Sequence, residues 1–146
     1  MKIFILSILF VLLFFRIKGT PTVLSKRLWD KKVAKAIETN KRVKSYDSTM
    51  IKNTMVVAGE IITIIIELLL ITFYIYVGVE IGTQEFALLS ALQVVTCIYG
   101  AISSFGDMKY IYSENVNDCK FQRFYFLFNV ILDYIYYPWA IYLFLK

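Results

Sequence analysis

Hydrophobic positions along this chain gather into four long blocks separated by polar stretches. They read IFILSILFVLLFF over 3–15, MVVAGEIITIIIELLLITFYIYVG over 55–78, FALLSALQVVTCIYGAISSFG over 86–106 and FYFLFNVILDYIYYPWAIYLFL over 124–145. None of the last three contains Lys or Arg. At 1.5 Å rise per residue, about 20 such residues suffice to cross a roughly 30 Å hydrocarbon core. The pattern predicts an all-α integral membrane protein, a single membrane domain over 1–146 built as a small bundle of three to four transmembrane helices. The first block is shorter and spans only about 20 Å as a helix. It reads as a short transmembrane or signal-anchor helix over 3–15, with an interfacial helix or a cleaved signal peptide as alternatives. The basic stretch RIKGTPTVLSKR that follows lacks a small-residue cleavage site, which speaks against cleavage.

Charge then orients the chain. The linker over 16–54 carries Arg16, Lys18, Lys26, Arg27, Lys31, Lys32, Lys35, Lys41, Arg42, Lys44 and Lys52 against Asp30, Glu38 and Asp47. By the positive-inside rule it faces the cytoplasm of a cell membrane. The turn VEIGTQE (79–85), with two acids and no base, then lies outside, and the loop over 107–123 with Lys109, Lys120 and Arg123 lies inside. Within the linker, residues 23–43 place Leu28, Trp29, Val33, Ala36 and Ile37 at helical spacing. Thr20 or Thr22, beside Pro21, is the expected start of this helix. Lys26, Arg27, Lys31, Lys32 and Lys35 occupy the opposite face, which suits anionic inner-leaflet lipids. The competing reading is a solvated positive face that only fixes topology. No nucleic-acid-binding fold is recognisable in it.

Composition narrows the chemistry. The chain has no His, which removes the commonest general base, zinc ligand and pH switch. Its two cysteines, Cys97 and Cys119, sit in an apolar segment and a polar loop, so neither a disulfide nor a metal site is expected, and no cofactor. There is no phosphate-binding glycine loop. Ser104-Phe105-Gly106-Asp107 partly resembles the G-x-G-D element of intramembrane aspartyl proteases, but the first glycine is missing and Asp107 falls at the membrane edge. An enzyme is not expected.

The costly residues are the polar ones inside the spans. Glu60 and Glu67 lie seven apart, about 20° short of two full helical turns, so they share a face with Thr63. A carboxylate facing lipid at mid-depth costs at least about 2.5 kcal/mol. In the third block Ser90, Gln93, Cys97, Gly100 and Ser104 form one small-and-polar stripe, and Ala87-x-x-x-Ala91 and Gly100-x-x-x-Ser104 fit the small-xxx-small packing pattern. The fourth block places Asn129 and Asp133 one turn apart, near Tyr134, Tyr136 and Tyr137, for whose hydroxyls Asp133 is a candidate partner. With no base inside the three long blocks, Glu67 and Asp133 are expected either as protonated interhelical glue or as a proton or cation relay.

These features predict a non-enzymatic subunit or accessory component of a membrane complex, partnered by another membrane protein or by copies of itself. A self-assembling pore for protons or cations, holin-like or a small channel, is the alternative. An immunity- or exclusion-type membrane protein shares the same physics. The predicted topology is checked by thiol labelling. Cys119 should react with a membrane-impermeant maleimide only from the cytoplasmic side, and Cys97 from neither.

Overall fold

The computed structural model describes residues 2–45, 49–112 and 123–146, apart from the side chains of 36–37, 40–41, 43–44, 49–53, 55–56, 60 and 103–112. All regular secondary structure among the described residues is helical. Five helices follow in order: α1 (Lys2–Leu24), α2 (Lys26–Lys44), α3 (Thr49–Ile81), α4 (Gln84–Tyr112) and α5 (Arg123–Leu145). All except α2 contain stretches long and apolar enough to cross a membrane, over Lys2–Leu24, Val57–Ile81, Gln84–Ile102 and Arg123–Leu145. Cys119 and most of the 107–123 loop lie outside the described residues.

The first element corrects the sequence reading. Helix α1 does not stop near Arg16 but runs 23 residues, through Pro21, to Leu24. At about 35 Å it is long enough to span. The helix start also moves, from Thr20 or Thr22 to Ser25. The Ser25 hydroxyl accepts from the Leu28 amide at 3.4 Å and its carbonyl accepts from the Trp29 amide at 2.9 Å, which is N-cap geometry for α2. Thr20 instead bonds back to the Arg16 carbonyl at 2.7 Å inside α1.

Two antiparallel helix pairs make the bundle. In the first, α1 packs along α5; the Thr20 and Tyr134 hydroxyls meet at 3.1 Å. At its end Arg123 donates to the carbonyls of Val23 at 3.0 Å and Leu24 at 2.6 Å, satisfying acceptors that the end of α1 leaves open. In the second pair, α3 and α4 form a hairpin through Gly82, whose φ of +69° suits the left-handed turn that ends α3. Thr83 then accepts the first bond of α4, from the Ala87 amide at 2.9 Å. Helices of 33 and 29 residues run about 50 and 44 Å, so both overhang a hydrocarbon core.

The two pairs join in an aromatic layer. Tyr136 is fully buried, 4.9 Å from the Phe86 ring and 5.1 Å from Tyr74, the latter edge-on at 84°. Ile5, Leu9 and Val77 complete this core. Some of the aromatic surface of α5 is therefore buried within the chain. Helix α2 folds back on the other end of the α1/α5 pair: Trp29 is buried against Phe126 at 5.1 Å, with Val23 and Val130 beside it. Trp29 and Val33 of its apolar face lie on protein, while Leu28 and the basic Lys26, Arg27, Lys31, Lys32 and Lys35 stay exposed. Lys32 also caps the rings of Trp29 and Phe126, at 5.5 and 5.1 Å.

The hairpin depends on Gly78. A Cβ there would stand 2.8 Å from Ser90 Oγ and 2.9 Å from Ser90 Cβ, so α3 and α4 would have to separate. Gly78→Ala should cost about 1–3 kcal/mol as an overpacking change. Adding Ser90→Gly should recover most of it, measured by SDS titration of the purified protein in mixed micelles.

Candidate functional site

Between the two pairs lies a cavity of about 300 Å³. Helix α1 contributes Arg16, α3 contributes Glu67 and Tyr74, and α4 contributes Gln93, Thr96 and Cys97. From α5 come Tyr125, Asn129, Asp133 and Tyr137. Glu67, Gln93 and Asp133 each fall close to the middle of an apolar span. Four separate helices thus turn polar groups toward one point at one depth.

Asp133 is the hub. It is 2% exposed, one oxygen paired with the Arg16 guanidinium and the other accepting from Gln93 Nε2 at 2.8 Å. The absence of a base near this acid, expected from the sequence, is overturned. The extension of α1 carries Arg16 into the bundle, where its side chain is 29% exposed. A charge that marks a membrane edge on a short helix becomes an interior counter-ion on a long one. Tyr137 lies within hydrogen-bonding reach of Asp133, and its hydroxyl meets that of Tyr74 at 2.7 Å. Of the three tyrosines expected at Asp133 only Tyr137 is there: Tyr136 meets Ser90 at 3.3 Å, and Tyr134 meets Thr20.

Glu67 sits differently. It is half-buried, lies in reach of the Cys97 thiol, and forms no ion pair among the described residues. Gly100 makes its position possible, because a Cβ there would come 3.3 Å from Glu67 Oε1 and 2.9 Å from the Tyr125 hydroxyl. That hydroxyl donates to the Thr96 carbonyl at 2.6 Å and lies in reach of Asn129. Asn129 Oδ1 is buried without a hydrogen-bond partner.

Other residues marked in the sequence fall away from this point. Thr63 bonds back to the Gly59 carbonyl at 3.1 Å and does not line the cavity. The Glu60 and Ser104 side chains lie outside the described residues, as does that of Asp107. Ala87 and Ala91 are exposed, so they take no part in packing within the chain. Among the described residues no group of His, Cys, Asp and Glu is arranged to hold a metal ion. The chain matches no family model, no curated protein and no solved structure.

The Arg16–Asp133 pair gives a sharp expectation. Arg16→Met strands a buried carboxylate and should destabilise the protein by about 3–5 kcal/mol. The double variant Arg16→Met/Asp133→Leu removes both charges and should be more stable than Arg16→Met alone, in the same SDS titration. Additive losses would show that the two side chains are not coupled.

Proposed function

We propose that this chain is a non-enzymatic, four-span membrane protein that works by association, as a subunit or accessory component of a membrane complex. The observation that carries this reading is the outward placement of Ala87 and Ala91 on α4, flanked by exposed Leu88, Leu92 and Val95. Small residues on an exposed helix face permit the close backbone approach by which transmembrane helices associate. The strongest polar contacts point the other way. Asp133, Arg16 and Gln93 are engaged with one another inside the bundle, which suits interhelical glue. In this reading the basic end of the bundle faces the cytoplasm, and the exposed lysines of α2 lie against anionic headgroups. The pore alternative, with Glu67 lining water between copies, draws less support, because Glu67 faces a cavity within one chain.

Blue-native electrophoresis of mildly extracted protein tests the proposal. The wild type should migrate above its monomer mass, with a second copy or a co-purifying membrane protein. Ala87→Leu/Ala91→Leu should release the monomer while leaving its helicity and unfolding midpoint unchanged. A lone wild-type monomer would end the association reading.

A further inference from the structure

Of the three charged side chains on the cavity wall, two neutralise each other. Asp133 and Arg16 form an ion pair, and Gln93 occupies the second Asp133 oxygen. Among the described residues Glu67 has only the Cys97 thiol in reach as a donor, which is weak. Beside it, Asn129 Oδ1 is a buried acceptor with no partner. Both line the same cavity: Glu67 Oε1 and the Tyr125 hydroxyl flank the open face of Gly100, and Asn129 lies in reach of that hydroxyl.

Several donors of the cavity are already committed. Tyr125 gives its proton to the Thr96 carbonyl at 2.6 Å, and the Thr96 hydroxyl gives its own to the Gln93 carbonyl at 2.8 Å. Tyr74 and Tyr137 bond to each other at 2.7 Å next to Asp133. Among the described groups, the acceptors that remain open are a carboxylate and an amide oxygen. A complementary occupant brings positive charge. An anion would meet Glu67 with Arg16 already engaged.

We infer that the cavity binds one small monovalent cation, a primary ammonium group or an alkali-metal ion, seated between Glu67 and Asn129 Oδ1. The volume of about 300 Å³ is roughly ten times the ≈30 Å³ share of a liquid water, room for such an ion with part of its hydration shell. An intramembrane acid with no basic partner is the setting in which such binding is expected. The reading goes beyond association and does not rest on it: the site lies within one chain, so a monomer with no partner would still carry it.

The test is thermal unfolding of the full chain in nanodiscs of neutral lipid, titrated separately with methylammonium, sodium and potassium chlorides. Choline chloride, a bulkier cation, controls for ionic strength. A ligand that binds only the folded state raises the unfolding midpoint in a saturable way. Wild type should show such a shift with at least one of the three salts above the choline control, and the salt that gives it distinguishes an ammonium group from an alkali ion. Glu67→Gln should weaken the apparent affinity at least tenfold. Asn129→Leu, which leaves the acid in place, should weaken it several-fold. The proposal is overturned if no salt gives a saturable shift in wild type, as a neutral Glu67 would dictate. It is overturned equally if Glu67→Gln responds like wild type, or if Asn129→Leu leaves the affinity unchanged.

Discussion

A carboxylate at the centre of an apolar bundle is tolerated only when its charge is answered, and Asp133 is where this structure meets that condition. Its two oxygens are divided between Arg16 on α1 and Gln93 on α4, so one side chain of α5 fixes the rotation and depth of two other helices. Apolar contacts alone specify this poorly, since a leucine slides along a leucine-rich face, or along lipid, at little cost. A buried ion pair with a single good geometry does not slide. Its net contribution to stability is small, because desolvating both charges offsets their attraction. Its contribution to register is large.

Around that point the molecule is organised as two tight pairs with a polar seam. Aromatic rings close the seam on one side, where Tyr136 wedges between Phe86 and Tyr74. At the other end Arg123 and Trp29 hold α1, α2 and α5 together, one by capping carbonyls and one by packing at a tilt on Phe126. The cavity survives between these closures because the groups that line it are polar and imperfectly paired. Glycine at position 100 keeps Glu67 and Tyr125 close there, and Gly78 does the equivalent for the hairpin, opposite Ser90.

Helical content and the four apolar segments were legible from block length and composition, because those properties depend on local sequence. That Glu67, Gln93 and Asp133 lie inside the apolar segments was legible too, by counting along each block. Two things were not. The end of α1 was misplaced because Arg16 looks like a boundary until its partner is known, and that partner lies at the opposite end of the chain. The burial of Trp29 was equally hidden: amphipathic spacing shows that a face is apolar, not whether lipid or Phe126 covers it. One signal did exist for the first error. A block that must reach about 20 residues to span has to take in Arg16, and a lone base inside a span calls for an acid.

The contacts between α1 and α5 also set an order of events in time. Arg16, Thr20 and the open carbonyls at Val23 and Leu24 all find their partners on the last helix, as with Thr20 and Tyr134, 114 residues apart. At about 5–20 residues per second, some 6–23 s pass between synthesis of the first group and of its partner. Throughout that interval the opening helix of a membrane-inserted chain carries an unanswered guanidinium. Its stable residence in lipid begins only when α5 arrives, which makes synthesis of α5 the step that commits the bundle.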